Sequence, residues 1–345
     1  MAGKRSRTTN IKSDSVLRKY ECEHGVSIYN GDVLELYDEW ESPTVIISDG
    51  PYGLNAFHGD CKTPEDLPDW YEPHVRAWSR KATAQTTLWF WNSEIGWATV
   101  HPVLVKHGWV YVRCNVWDKG IAHIAGNVNL AKLREFPCVT EVCVQYVKEA
   151  MVDGVPLKEW MRKEWERSGL PLYKANEAAG VANAASRKWL TKDHLWYAPL
   201  PEEFEKLAKY ANIYGRNSGR PYFSLNGRVM TKEEYAKLRP KFHCRVGVTN
   251  VWREPPLHNS ERIKVGKGGR SVHLNQKPLK LMRLIIEASS DPNDVVWEPF
   301  GGLCSATVAA HQLNRRCYAA ELEKEFFKIA VGRLKGMCQQ VLIHA

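Results

Sequence analysis

Two blocks of this 345-residue sequence alternate β-branched runs with segments of helical period, and a block of different character lies between them. In the first block, VSIYNGD (26–32) and TVIISD (44–49) have strand character, with DVLELYDEW as a short helix between them. PDWYEPHVRAWSRKA (68–82) has helical spacing and precedes the apolar strand TTLWFWN (86–92). A helix over 94–107 leads to the strand WVYVRCNVWDK (109–119), and VTEVCVQYVK (139–148) is a further strand. In the second block, LKLMRLIIEASS (279–290) is helical and VVWE (295–298) is a strand. CYAAELEKEFFKIAVGRL (317–334) adds one more strand and a closing helix. Such alternation predicts an α/β fold: a parallel sheet covered by helices, with ligands beyond the carboxyl ends of its strands.

Composition sets the boundaries. Residues 16–148 and 251–345 carry the α/β pattern, while 149–250 is rich in Lys, Arg, Trp and Tyr and is expected to be a mainly helical insertion. Inside it, Ala178-Ala179-Gly180-Val181 followed by Ser186-Arg187-Lys188-Trp189-Leu190 has the spacing of a helix-turn-helix, and equally of a plain pair of packed helices. Residues 1–15, MAGKRSRTTNIKSDS, lack the apolar centre of a secretory signal and read as a basic arm expected to be disordered. The sequence has no apolar run near the roughly eighteen residues that a membrane span needs. A net charge of +9 favours a polyanionic partner. The nine cysteines are scattered with no C-x-x-C pair, so neither a metal site nor a disulfide framework is indicated, and a reduced, cytoplasmic setting is expected.

Two turns at strand ends carry the chemistry. VIISDGPYGL (45–54) runs from a buried strand into a Gly-Pro break, leaving Asp49 and Tyr52 at the carboxyl end. Taken alone, Asp49 reads as a helix cap and Tyr52 as a packed strand-end ring. VVWEPFGGLCSATVAAHQL (295–313) makes a strand, a glycine turn and a helix, and Glu321 ends the next strand nineteen positions after Gly302. Gly301 and Gly302 let backbone approach a ligand closely, and an acid at 321 can accept both ribose hydroxyls of an adenosine. The G-x-G-x-x-G spacing of a dinucleotide site is absent, and 24 residues after Glu321 are too few for its second half. A single adenosine-bearing cofactor such as S-adenosylmethionine fits better.

These segments resemble the beta-class amino-methyltransferases of DNA, the N6-adenine and N4-cytosine family. That family orders a D-P-P-Y catalytic segment, a target-recognition region and an F-x-G-x-G cofactor loop, and this sequence has Asp49-Gly50-Pro51-Tyr52, the 149–250 insertion and Phe300-Gly301-Gly302 in the same order. Gly31-Asp32 is similar to the family's G-D segment, whose acid approaches the cofactor's adenine. Asn275-Gln276-Lys277-Pro278 is similar to its Q-K-P segment, and Trp117-Asp118-Lys119 and Glu141 also fall where the family places them. The resemblance covers most of 26–148 and 251–334. It implies a Rossmann-like methyltransferase sheet with helices on both faces and S-adenosylmethionine bound by Asp32, Asp49, Gln276, Lys277, Pro278, Phe300, Gly301, Gly302, Cys304, Ser305 and Glu321. It also implies double-stranded DNA as substrate, in a restriction-modification system with a cognate endonuclease or as an orphan or phage modification enzyme, with a homodimer as a family expectation. Two departures stand out: Gly50 replaces a proline, and Cys304 replaces the loop's last glycine, placing a larger side chain near the cofactor's methionine end.

In the chemistry so implied, Asp49 and the Gly50 carbonyl accept hydrogen bonds from an exocyclic amino group and localise its lone pair for in-line attack on a sulfonium methyl. Pro51 fixes the turn, and Tyr52 faces a base flipped from the duplex. Family members with Asp at the first catalytic position act mostly on adenine and those with Ser on cytosine; Ser48 lies outside that slot, so adenine is expected. Asn183, Arg187 and Lys188 are the candidates for DNA contact in the insertion. The alternatives are a cytosine-N4 enzyme and a DNA-binding relative that has lost catalysis. A methylase of RNA or of protein glutamine is disfavoured because its cofactor loop precedes the catalytic segment.

Overall fold

The computed structural model describes residues 18–22, 25–55, 60–123, 132–182, 185–192, 195–257, 261–265, 270–271 and 276–344. The arm expected over 1–15, and Asn183 and Asn275, lie outside these residues. Among them nine strands form one sheet. In chain order these are β1 (Arg18–Cys22), β2 (Val26–Asn30), β3 (Val45–Ser48), β4 (Thr87–Asn92), β5 (Trp109–Asp118), β6 (Thr140–Lys148), β7 (Val251–Arg253), β8 (Val295–Glu298) and β9 (Arg316–Glu321). Their order across the sheet is β1-β2-β9-β8-β3-β4-β6-β5-β7. From β2 to β4 every pairing is parallel. β1 returns against β2 as a hairpin, β6 runs against both its neighbours, and β7 is parallel to β5.

The insertion between β6 and β7 carries α3 (Leu157–Ser168), α4 (Lys174–Ala179), α5 (Ala185–Lys188), α6 (Pro201–Tyr214) and α7 (Lys232–Ala236). Before it lie α1 (Leu67–Lys81) and α2 (Glu94–Lys106); after it come α8 (Leu279–Ser289), α9 (Ser305–Gln312) and α10 (Lys324–His344). Side-chain alternation sends successive residues of a strand to opposite faces of the sheet. Val45 and Ile47 accordingly join the core with α8, α9 and α10, while Ile46 joins the one with α1 and α2. Burial on both faces is why β3 and β4 read as unbroken apolar runs. The insertion has a third core of its own, built on Trp160, Trp165, Phe204, Phe223 and Tyr235. Glu164 is buried inside it and neutralised by Arg167 and Arg220 at 2.6 and 2.7 Å.

Several elements differ from the sequence reading. The short helix expected over 32–40 is a single 3-10 turn, Val33–Glu35, because Tyr37 and Trp40 turn in to pack on Trp297, with ring centroids 5.5 and 5.2 Å away. The helices α3 and α6 of the insertion and the edge strands β1 and β7 had no counterpart in that reading. The pair expected near 178–190 exists as α4, a left-handed Gly180 and α5, with α5 a single turn.

Sheet order also fixes where a ligand can sit. The chain leaves β8 through α9 to reach β9 on one side, and leaves β3 through α1 to reach β4 on the other. The two strands pair directly, Val296 with Val45 and Trp297 with Ile46. Their carboxyl ends therefore flank the topological switch point, where open α/β sheets form a ligand crevice.

Candidate active site

Beyond Ser48 the chain forms a turn pinned from three sides. The Pro51 carbonyl accepts hydrogen bonds from the Tyr71 hydroxyl of α1 at 3.2 Å and the Asn92 amide of β4 at 3.0 Å. The Asp60 carboxylate accepts the successive backbone N–H groups of Tyr52, Gly53 and Leu54 at 3.1, 3.0 and 3.1 Å. Gly53 needs its lack of a side chain: φ is +71°, and a β-carbon there would lie 2.6 Å from the Thr63 carbonyl oxygen. The turn thus presents Asp49 and Tyr52 side by side, and the Tyr52 hydroxyl donates to Asp49 Oδ1 at 3.0 Å.

Asp49 does not stand alone. Lys277, from the segment entering α8, donates to the same Oδ1 at 2.8 Å, and its ammonium lies 3.3 Å from Glu141 Oε2 on β6. The Tyr52 hydroxyl is 3.4 Å from that Glu141 oxygen, while Glu141 Oε1 is held by Lys119. Burial would push the Glu141 carboxyl up, but the Lys277 and Lys119 ammoniums outweigh it and hold the group below the usual range. Burial pulls Lys277 down, and the Asp49 and Glu141 carboxylates reverse that and leave it raised. Burial, with the same two carboxylates, pushes the Tyr52 phenol far above its ordinary value, so it remains a donor at neutral pH.

The second loop lies across a cavity of about 810 Å³. That cavity brings together Asp32, Asp49, Gly50, Pro51, Tyr52, Gln276, Lys277, Phe300, Gly301, Gly302, Ser305 and Glu321, which the sequence scatters over 290 positions. Glu321 Oε2 accepts the Gly302 N–H and Oε1 that of Glu323, both at 2.6 Å. Burial raises this carboxyl to about 7 against those two bonds. Asp32 caps the turn after β2 by accepting the Leu34 N–H at 2.9 Å, and the Gly31 N–H donates to the Glu321 carbonyl, so the ends of β2 and β9 are tied together. Gln276 lines the cavity while its amide clamps the backbone of Glu261 and Ile263.

Two residues assigned to the cofactor do not reach the cavity. Pro278 is buried at the start of α8. Cys304 takes a left-handed conformation, φ +55°, which turns its thiol into the apolar core beneath Gly301. A β-carbon at 301 would lie 2.8 Å from that sulfur, so the larger residue at 304 occupies core space rather than ligand space. Gly50 has a matching explanation: a β-carbon there would fall 2.8 Å from the Phe300 ring and 2.6 Å from the Tyr71 hydroxyl.

Several site residues escaped the sequence reading. Glu298, the acid directly before Pro-Phe-Gly-Gly, accepts the Ala306 and Thr307 N–H groups and the Thr307 hydroxyl, capping α9 in place of Cys304, whose side chain caps nothing. Burial raises it to about 7 against these bonds. An acid at a strand end before a glycine turn was the available signal. Trp70 and His74 of α1 also line the cavity, stacked on each other at 4.5 Å and packed on Phe300. Burial lowers His74 to about 4, so it is neutral at pH 7. In these residues, spaced four apart on a helix, no local pattern separates lining from core. In the insertion, Arg187 and Lys188 are exposed on α5.

A crevice of this kind, at the switch point of a mostly parallel sheet and walled by a glycine turn and a spaced acid, defines the nucleoside-binding α/β class. Similarity to known proteins narrows it. A model of the DNA methylase family matches residues 44–332. The Type II methyltransferase M.BglII of Bacillus subtilis is 38% identical over 319 residues, covering 91% of this chain and 70% of the relative. M.HinfI of Haemophilus influenzae is 36% identical over 86 residues, 25% of this chain and 24% of that relative. Among solved structures, an M1.HpyAVI–SAM complex aligns with a TM-score of 0.47 at 17% identity, covering 89% of this chain and 98% of that one. The cytosine-N4-specific PvuII methyltransferase aligns at 0.49 and 12%, covering 89% and 85%. The chain belongs to the DNA methylase family, the DNA methyltransferases that act on amino N6 or N4. The family depends on S-adenosylmethionine.

Proposed function

We propose that this protein is a sequence-specific methyltransferase that methylates the N6 amino group of adenine in duplex DNA. The observation that carries this reading is the shared cavity: Asp49 and the Phe300–Gly302 turn open into one space from adjacent strand ends. When bound, S-adenosylmethionine supplies an electrophilic methyl group on a positive sulfur. The residues present fit it. Glu321 would accept ribose hydroxyls, Asp32 would approach the adenine, and Gly301 and Gly302 would offer bare backbone to the cofactor. Phe300, with Trp70 beside it, gives an aromatic wall toward which a cation is attracted.

Asp49 does the central work on the substrate. Both of its described hydrogen bonds fall on Oδ1, so Oδ2 accepts an amino N–H from the target base. A charged acceptor makes that bond roughly twice as strong as a neutral one. It draws the nitrogen toward a tetrahedral shape, and Tyr52 offers its ring to the base once that base has left the stack. The family's aspartate-for-adenine tendency favours N6. The insertion reads the target sequence, with Arg187 and Lys188 among its phosphate contacts and Asn183 a further contact. Relatives named as Type II methyltransferases favour a restriction–modification role with a companion endonuclease, and the family favours a homodimer in the cytoplasm.

The test is transfer of labelled methyl groups to mixed duplexes, followed by nucleoside analysis. Label on adenine supports the reading, and label on cytosine alone establishes the N4 alternative. Asp49→Ala is expected to abolish transfer while calorimetry still shows cofactor binding. Gel shifts without any heat of cofactor binding in the native protein would establish the non-catalytic alternative.

A further inference from the structure

The family motif assigns Lys277 to the cofactor; the geometry points elsewhere. We propose that Lys277 is a positioning residue for Asp49, held in place by Glu141 and Lys119, and that it fixes which carboxylate oxygen meets the target amino group. This rests on the amino-methyl transfer reading above.

Lys277 has a side chain only 3% exposed, and a buried ammonium without partners is strongly disfavoured. Its surroundings come from three directions: Asp49 and Tyr52 after β3, Trp91 on β4, and Glu141 with the buried thiol Cys143 on β6, Glu141 being held in turn by Lys119 after β5. Asp49 and Glu141 together balance Lys277 and Lys119, so the cluster is neutral when all four are charged. Drawing the ammonium away toward a cofactor would leave two carboxylates sharing one side of Tyr52 with a single cation between them.

The consequence for Asp49 is geometric. An aspartate on a turn has two rotatable bonds and two equivalent oxygens. Donation to Oδ1 by both Lys277 and the Tyr52 hydroxyl fixes the plane of the group and distinguishes the oxygens. Placement within a fraction of an ångström is what converts an acceptor into a catalytic one. Glu141 does not line the cavity, so its part in the cluster is to hold Lys277 and Tyr52.

The experiment separates positioning from cofactor binding. Lys277→Ala is expected to lower kcat by about 10- to 100-fold, the range for losing a charged hydrogen bond. Calorimetry of the same variant with S-adenosylmethionine should give a Kd within about threefold of native. Added ethylammonium, which restores both charge and N–H donors to the vacated space, should recover part of kcat, and tetramethylammonium, which has no donor, should not. The acid limb of the kcat profile should also move to higher pH, because Glu141 loses one of its two ammoniums. A cofactor Kd weakened in proportion to the loss of kcat/KM would make Lys277 a cofactor ligand and overturn the proposal, as would an unchanged kcat. If Lys277→Ala does not fold, Glu141→Gln serves: a fall in kcat at constant cofactor Kd is expected, and an unchanged kcat overturns the proposal. A native protein that transfers methyl groups to neither base overturns the methyltransferase reading first, and this assignment with it.

Discussion

Gly50→Ala tests how tightly the catalytic turn and the cofactor loop are fitted to one another. The added β-carbon would lie 2.6 Å from the Tyr71 hydroxyl and 2.8 and 2.9 Å from two carbons of the Phe300 ring, well inside contact distance. Tyr71 cannot yield cheaply, since it is fully buried and its hydroxyl holds the Pro51 carbonyl. Phe300 is the softer neighbour, half-buried and bordering the cavity, so its ring moves into the space meant for the cofactor. Overpacking of this kind costs about 1–3 kcal/mol. For 345 residues unfolding together, about 2.1 cal/mol/K of entropy per residue converts that to a Tm lower by roughly 1–4 °C. Scanning calorimetry reads the Tm, and titration with S-adenosylmethionine reads an affinity that should fall with it. On a Phe300→Leu background the same substitution should cost less, because the clashing ring carbons are gone, and the two effects should fail to add. A Gly50→Ala protein with native Tm and native cofactor affinity, or strict additivity with Phe300→Leu, would refute the reasoning. The family's proline at this position carries the same β-carbon, so Gly50→Pro should behave no better than Gly50→Ala in this chain.

Two further predictions follow from single carboxylates. Asp60→Ala removes the acceptor shared by three consecutive N–H groups behind Tyr52; single-turnover transfer should slow by about 10- to 100-fold, the equivalent of about 1.5–3 kcal/mol, while cofactor affinity stays near native. Glu321, raised to about 7 by burial, contributes stability that is complete below its unfolded value near 4.5 and is lost as pH rises through 7. Between about pH 4.5 and 7 the cofactor-free protein should therefore lose up to about 3 kcal/mol from this group, a loss offset below pH 6.5 by His74, which burial lowers to about 4 and which therefore gains stability as pH rises. Glu321→Gln should remove this part of the trend, leaving the loss from Glu298 and the opposing gain from His74, and an unchanged profile above pH 6.5 would count against the assignment.

How far the sequence disclosed the site depends on the range of the interactions involved. Asp49 and the Phe300 loop were legible because each is punctuation at the end of a β-branched run, and such punctuation is local. The partner of Asp49 was not: Lys277 lies 228 positions away, and within its own segment it resembles any basic residue before a helix. Asp60 and Glu298 act on neighbours eight or nine positions away at most, yet an acid in a loop has many local uses, and only the folded turn shows which amides it meets. The helix expected over 32–40 failed for a different reason. Val33, Leu36, Tyr37 and Trp40 have helical spacing, but the two aromatic rings gain more by packing on Trp297 than the backbone gains by continuing a short helix. In α3 the opposite holds: its many charged residues mask, along the sequence, the stripe of Leu157, Trp160, Met161, Glu164 and Trp165 that the fold buries.

Cys304 shows why a motif departure is not by itself a functional one. Judged against the family's glycine, a thiol at 304 intrudes on the cofactor. The left-handed backbone at that residue instead directs the side chain below the turn, where it fills core space that a glycine would leave empty, and Glu298 supplies the helix cap that Cys304 does not. Gly50 and Cys304 thus fit the loop from opposite sides, Gly50 against the Phe300 ring of the α1 core and Cys304 within the α8–α10 core. The residue facing Phe300 carries no β-carbon, and the residue beneath Gly301 carries a sulfur. Both leave open the crevice created by the pairing of β3 with β8, the feature on which the proposed catalytic geometry depends.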